Sequence, residues 1–106
     1  MSPPSLTVLM ALYNGGEYLR QSVQSVLDQT YDNFEFLIVN DCSTDDSIKV
    51  IGSFRDKRIK VHNNAKNLGQ TPSLNLGLKL AKGDYFARID GDDVALPQWL
   101  QTQVNA

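Results

Sequence analysis

Two stretches of this sequence are apolar at nearly every position, and that continuity limits the fold more than any other feature. They run from Leu6 to Tyr13 and from Phe34 to Val39. A strand with one face in water alternates apolar and polar residues. A continuous run suits a strand covered on both faces, as in a parallel sheet. Parallel strands need long crossover connections, so helices are expected between the runs.

The chain supplies them. Asn14-Gly15-Gly16 breaks the first run, and Glu17 to Gln29 reads as a helix. Its Leu19, Val23, Val26 and Leu27 form one apolar stripe, and Glu17 suits the positive end of the helix dipole. After the second run, Ser43 or Thr44 is the expected cap of another helix, with Asp45 and Asp46 in its first turn. Ile48, Val50, Ile51 and Phe54 give that helix an apolar side. Asp56-Lys57-Arg58 is a turn, and Ile59 to His62 a short third strand. Asn63 to Gln70 is a polar loop.

The next segment carries two periods. Leu74, Leu76, Leu78 and Leu80 alternate like a strand, while Leu74, Leu78 and Ala81 form a helical row. Thr71-Pro72 decides for helix, with Thr71 as N-cap and Pro72 at the first helical position. Gly83 stops it, and Tyr85 to Ile89 reads as a short buried fourth strand. Pro97 opens a last helix containing Trp99, Leu100 and Val104. Strand and helix in alternation predict an α/β fold, a mostly parallel sheet flanked by helices, with right-handed crossovers.

Composition narrows the function classes. With 106 residues the chain is long enough for one domain with a core, and 42% hydrophobic against 21% charged residues marks it as globular. A net charge of -2 gives no basic footprint, so nucleic acid is not an expected partner. No apolar run approaches the length of a membrane span, and Met1 to Pro4 does not open a signal peptide. Cys42 is the only cysteine and cannot form an internal disulfide, which fits a cytoplasmic protein. Gln101 to Ala106 reads as a helix without a stop signal, so the expectation is a fragment of a longer protein.

The candidate chemistry lies at strand ends. Asp90, Asp92 and Asp93 place three carboxylates within four residues, just past the fourth strand. Such a group repels itself unless a positive charge sits among it. A hard divalent cation with oxygen ligands fits, and such ions commonly bridge carboxylates to substrate phosphates. The plain alternative is an acidic Asp-Gly turn. Tyr13-Asn14 follows the first strand and Asn40-Asp41 the second. Each cluster alone is an ordinary polar turn. Together, at the carboxyl edge of one sheet, they describe a nucleotide pocket. In it Asp41 would accept from a base or ribose, and the later carboxylates would hold metal on phosphate. Gly15-Gly16 is not a dinucleotide fingerprint, and no Walker lysine motif occurs. A non-catalytic α/β module binding a cation or nucleotide is the second reading. His62, Tyr18, Tyr31 and Trp99 read as structural residues, Arg88 as outward-facing, and Cys42 lies in no visible nucleophile arrangement.

In order along the chain these landmarks resemble the N-terminal, nucleotide-sugar-binding half of a family 2 glycosyltransferase with the Rossmann-like GT-A fold. Ala11-Leu12-Tyr13-Asn14 is similar to the family's opening Pro-x-Tyr-Asn. Asn40-Asp41-Cys42-Ser43-Thr44-Asp45 resembles its Asp-Asp-Gly-Ser-Thr-Asp segment, with Asn40 for the first Asp and Cys42 for a frequent Gly. Asn67-Leu68-Gly69, Asn75-Leu76-Gly77 and Ala81-Lys82-Gly83-Asp84-Tyr85 resemble its third block. Asp90-Gly91-Asp92 resembles its Asp-x-Asp metal motif. The resemblance implies inverting transfer of a sugar from a nucleotide-diphosphate donor, commonly a UDP-sugar, to a saccharide or lipid-linked acceptor in polysaccharide biosynthesis. It implies nucleotide contacts at Leu12, Tyr13, Asn14, Asp41, Asp90 and Gly91, and Mn²⁺ or Mg²⁺ on Asp90 and Asp92. On this reading residues 1–106 are the donor part of a glycosyltransferase domain. The catalytic base is expected after residue 106, so the chain alone would bind nucleotide without transferring sugar. The full-length protein would be cytoplasmic or peripheral to a membrane. Leu96, Trp99 and Leu100 are the expected exposed apolar surface through which the fragment would self-associate.

Overall fold

The computed structural model describes residues 6–91 and 93–105, so Asp92, half of the expected metal pair, lies outside the described residues. Four strands alternate with helices: β1 (Leu6–Leu12), α1 (Leu19–Leu27), β2 (Phe34–Asn40), α2 (Ser47–Gly52), β3 (Ile59–Asn63), α3 (Gln70–Leu80), β4 (Tyr85–Arg88) and α4 (Trp99–Asn105). The sheet order is β3-β2-β1-β4 and every pairing is parallel. β1 is therefore the strand from which the order runs both ways, to β2 on one side and β4 on the other. Crevices for ligands form at the carboxyl end of such a strand.

The continuous apolar runs have the expected cause. Every residue of β2 and all but Ala11 of β1 are buried. One face, with Val8, Met10, Phe36 and Ile38, packs with Leu19, Val23 and Val26 of α1, and with Ile51 and Leu100. The other face, with Leu9, Leu37 and Val39, packs with Leu74 and Leu76 of α3 and with Ala81 just beyond its end. The two polar residues inside the runs, Thr7 and Glu35, are register partners. They bond to each other, Thr7 Oγ1 donating to Glu35 at 2.6 Å. Glu35 also accepts from the Lys82 N–H, and Gly83 N–H donates to Thr7 Oγ1 at 3.0 Å. This ties the turn after α3 to the amino-terminal edge of the sheet. A side chain at Gly83 would stand 2.7 Å from the Thr7 nitrogen, so only glycine fits there.

Several local expectations give way to long-range contacts. A short 3₁₀ turn (Gly16–Tyr18) precedes α1, which ends at Leu27 rather than Gln29. Gln29 is buried, its amide donating to Leu96 O and accepting from Leu100 N–H, so it anchors α4 instead of extending α1. α2 begins at Ser47, not after Ser43 or Thr44, whose groups bond to the loop after β1. α3 is capped by Gly69 at φ 98°, so Thr71 is not the cap and Pro72 sits third in the helix. Pro is tolerated there because first-turn N–H groups have no intrahelical partner. Ser73 and Gly77 face the sheet, while Leu78 is 45% exposed. A methyl at Gly77 would lie 2.4 Å from Leu9 Cδ1, which shows how closely this helix approaches β1. β4 ends at Arg88 and is an edge strand, not a buried one, with Tyr85 69% exposed. The expected apolar surface divides: Leu96 is exposed, Trp99 is half-buried against the core, and Leu100 is fully buried. Tyr18, expected to pack, is exposed. No helix among the described residues is long and apolar enough to cross a membrane.

Candidate functional site

The loops leaving β1, β2, β3 and β4 meet at the carboxyl edge, and their polar groups bond loop to loop. Asn14 lies at φ 49°, a left-handed conformation that Asn tolerates. Its Oδ1 accepts from the N–H groups of Thr44 at 2.8 Å and Asp45 at 3.2 Å, and its own N–H donates to Ser43 Oγ at 2.9 Å. Gly15 N–H donates to Ser47 Oγ and Gly16 N–H to Asp45 Oδ2. The Ser47 hydroxyl and N–H, with that Gly16 N–H, hold the Asp45 carboxyl below its ordinary range. The loop after β1 is thereby fastened to the start of α2.

Asp41 fastens the third loop. It is 3% exposed. Its Oδ1 accepts from Leu68 N–H at 2.7 Å and Asn64 Nδ2 at 3.0 Å, and its Oδ2 accepts from Gly69 N–H at 2.8 Å. Burial would raise the Asp41 carboxyl, but bonds from Leu68, Asn64, Gly69 and Ser73 outweigh it and hold the group below the ordinary carboxylate range. Asn40, where the resembled pattern has Asp, is buried. It donates to Asn63 Oδ1 at 3.0 Å and accepts from Ser43 N–H. A neutral amide serves both neighbours. Cys42 adopts φ 60°, which explains why glycine suits that position.

The fourth loop is held from α1. Ser22 Oγ donates to Asp90 O at 3.1 Å, and Ala95 N–H donates to Ser25 Oγ at 2.9 Å. Asp90 and Asp93 close a turn through Asp93 N–H to Asp90 O and Asp90 N–H to Asp93 Oδ2. The Asp90 carboxylate is about half exposed, and Arg88 reaches it only at 3.4 Å.

Two adjoining cavities open between these loops. The larger, ≈ 420 Å³, is lined by Leu12, Tyr13, Asn14, Gln70, Asp90 and Gly91 among others. The smaller, ≈ 180 Å³, is lined by Ala11, Leu12, Tyr13, Asp41, Gln70 and Ser73. Every candidate nucleotide residue read from the sequence thus lines one or both. The walls they share are Ala11, Leu12, Tyr13 and Gln70. A third cavity of ≈ 530 Å³ lies along α4, with Arg88, Asp93, Leu96 and Trp99 in its lining. Sequence reasoning missed Asn64, Gln70, Ser73 and the exposed Tyr18, which lines the larger cavity. The end of β3 reaches the same sheet edge as the ends of β1 and β2, which was the available signal for Asn64.

The residues present fit a divalent cation in one respect. Asp90 offers a half-exposed carboxylate on a wall of the larger cavity, the hard oxygen donor that Mg²⁺ and Mn²⁺ take. Among the described residues no cluster of three or more His, Cys, Asp or Glu side chains could hold a metal alone. An ion held by one or two carboxylates and completed by substrate phosphates needs none.

Comparison with known proteins agrees with this geometry. The sequence model of the family described as "Glycosyl transferase family 2" matches residues 7–106. An uncharacterized glycosyltransferase of Haemophilus influenzae is 42% identical over 100 residues, covering 92% of this chain and 31% of that protein. Glycosyltransferase GlyG of Streptococcus pneumoniae is 34% identical, covering 92% of this chain and 33% of that protein. The chain therefore spans about a third of the length of these curated relatives. The crystal structure of S. aureus TarS 1-349 in complex with UDP-GlcNAc superposes with a TM-score of 0.89 at 28% identity, covering 95% of this chain and 30% of that one. Mannosyltransferase PcManGT from Pyrobaculum calidifontis shares the fold, with a TM-score of 0.78 at 21% identity, covering 88% of this chain and 29% of that one.

Proposed function

Because the chain belongs to glycosyl transferase family 2, we propose that its carboxyl-edge cavities bind a nucleotide-diphosphate sugar. The whole protein transfers that sugar, with inversion, to a hydroxyl of a saccharide or lipid-linked acceptor. The observation that carries this reading is the pair of cavities with a common wall, one over Asp41 and the other over Asp90. It suits a ligand with two chemically different ends. The nucleoside occupies the smaller cavity beside Tyr13 and above Asp41. The diphosphate runs through the larger one past Leu12, Asn14 and Gly91 to Asp90. Binding of UDP-GlcNAc by the 28% identical TarS supports a UDP-sugar as donor.

Within this reading each residue has a role. Tyr13, 52% exposed, offers a ring face to the base. Asn14 acts through the loop it orders, since its side-chain oxygen already accepts from Thr44 and Asp45. Asp90 and Asp92 hold Mn²⁺ or Mg²⁺, which when bound would neutralise the charge that develops on the departing diphosphate. Gly91 leaves room beside that carboxylate: a side chain there would stand 3.2 Å from Leu12 Cδ1. Inversion requires a base on the acceptor side, and we assign it to the part of the fold that relatives carry beyond the matched region.

Titration calorimetry of the full chain with UDP, with Mn²⁺ or with EDTA, tests the proposal. Binding that strengthens with metal is expected, and Asp90→Asn should remove most of the metal-dependent gain. Equal affinity in both buffers would overturn the metal assignment, and absence of any nucleotide binding would overturn the donor reading.

A further inference from the structure

Among the described residues the sheet has two edges, β3 and β4, and they are built differently. β3 alternates Lys60 and His62 with its apolar residues, and a lysine on an edge strand opposes pairing with another chain. β4 reads Tyr85-Phe86-Ala87-Arg88, without lysine or proline, and Tyr85 and Phe86 are largely exposed. Its backbone is also set for a further neighbour. Ile89 N–H donates to Leu9 O at 3.1 Å. Groups alternate along a parallel ladder, so Ala87 and Ile89 turn theirs toward β1, and Phe86 and Arg88 turn theirs to the open edge. The register with β1 puts the Phe86 and Arg88 side chains on the face that carries α3, beside Thr7 and Leu9. Tyr85, Ala87 and Ile89 take the opposite face.

We propose that β4 pairs antiparallel with β4 of a second copy of this chain, about a two-fold axis that passes between the two Phe86 residues. The axis stands perpendicular to the sheet, so each face continues across the junction, and the contact is isologous. The two Phe86 residues exchange N–H and C=O bonds, and their rings form an aromatic cross-strand pair on the α3 face. Arg88 then falls opposite the partner's Asp84, and Asp84 opposite the partner's Arg88. Both side chains are exposed, and within one copy Arg88 reaches Asp90 only at 3.4 Å. On the other face Tyr85 falls opposite the partner's Ala87. A cavity of ≈ 530 Å³ opens on that face beside Ile89, lined also by Leu96 and Trp99. Each Tyr85 ring enters the partner's cavity and covers Leu96, which is 75% exposed. The neighbouring registers are selected against. Sliding one way sets Asp84 opposite the partner's Asp90, and sliding the other way sets Arg88 opposite the partner's Lys82, like charges face to face. This inference goes beyond the donor reading and does not depend on it.

Sedimentation velocity of the full chain over a concentration series, without nucleotide, reads the association. The wild-type chain should pass from monomer to dimer. Phe86→Lys sets two like charges on the axis and should stay monomeric at concentrations where the wild type is dimeric. Asp84→Arg alone faces the partner's Arg88, and Arg88→Asp alone faces the partner's Asp84. Each should raise the dimer dissociation constant about tenfold, since every substitution acts twice across the axis. The double variant restores opposite charges and should return the constant to the wild-type value. If Phe86→Lys folds poorly by circular dichroism, the charge exchange carries the test, because both of its positions are exposed. A wild-type chain that is monomeric at every concentration would overturn the proposal and assign the edge to another occupant, such as a strand from the part that relatives carry beyond this region. A dimer that ignores Phe86→Lys, or a double variant no tighter than the single ones, would overturn the β4 register. Neither result bears on nucleotide binding, which the titration above reads separately.

Discussion

Replacing Asp41 by Asn preserves shape and removes charge, and the geometry sets the consequence. Three N–H donors converge on the carboxylate: Leu68 N–H and Asn64 Nδ2 on one oxygen, Gly69 N–H on the other. An amide can serve only one of those two sides as acceptor. Its NH₂ must then face at least the Gly69 N–H, donor against donor. A buried donor left unpaired costs about 1–3 kcal/mol, and the remaining two bonds lose their charge assistance, on the order of 1 kcal/mol together. The expected loss is roughly 2–4 kcal/mol at neutral pH. For a domain of this size that lowers the melting temperature by about 8–30 °C. The pH dependence adds a sharper signature. The folded-state pKa of Asp41 is depressed, because hydrogen bonds outweigh burial. Its contribution is therefore complete above the ordinary carboxylate pKa and disappears as pH falls through the folded value. Glu35, Asp45 and Asp56 are depressed in the same direction, but both proteins carry them and the difference cancels their effect. Urea unfolding followed by circular dichroism, from pH 7 downward, should show a gap in midpoint that narrows in acid. Equal midpoints at pH 7, or a gap that does not change with pH, would refute the argument.

Three further outcomes follow from the same structure. Asn14→Ala removes the acceptor for Thr44 and Asp45 and leaves alanine at φ 49°, so it should cost about 2–3 kcal/mol and weaken UDP binding in the same titration. Cys42→Gly relieves a left-handed conformation at φ 60°. After the unfolded-state entropy of glycine is subtracted, it should stabilise by about 0.5–1 kcal/mol in a thermal melt. Glu35→Gln disturbs a buried carboxylate at the opposite edge of the sheet, so it should destabilise by about 1–3 kcal/mol while leaving the UDP dissociation constant unchanged.

The parallel sheet was legible because burial on both faces of a strand writes itself directly into sequence. The runs Leu6 to Tyr13 and Phe34 to Val39 could hardly be read otherwise, and the strands end within one residue of them. The same logic misjudged β4. Tyr85-Phe86-Ala87 is as apolar as a central strand, yet the sheet ends there and Phe86 is 49% exposed. An apolar run reports that a strand forms, and what lies beside it depends on the rest of the fold. In α3 the leucines suggested the buried row, but close approach to Leu9 selected Ser73 and Gly77, which are small. Helix starts failed for a related reason. Ser43 and Thr44 are good caps by type, but their partners lie about thirty residues away in the loop after β1. Local propensity cannot weigh a bond that only the sheet register creates.

That register also explains why two buried carboxylates in one strand segment have different consequences. Glu35 and Asp41 stand at opposite ends of β2, each nearly inaccessible, each accepting backbone N–H groups from a segment far along the chain. Glu35 pairs with Thr7 at the amino-terminal edge and accepts from Lys82 N–H, so its work ends in the turn after α3. Asp41 lies one residue beyond Asn40, the register partner of Leu12, and its N–H donates to Leu12 O at 2.7 Å. The backbone it fixes therefore begins where the cavity wall begins. Charge, burial and hydrogen-bond count are similar in the two groups. Position along a parallel strand is what differs, and in a parallel sheet only the carboxyl end leads into a crevice. A buried carboxylate at that end orders backbone that leads into a cavity wall, and one at the other end orders a turn.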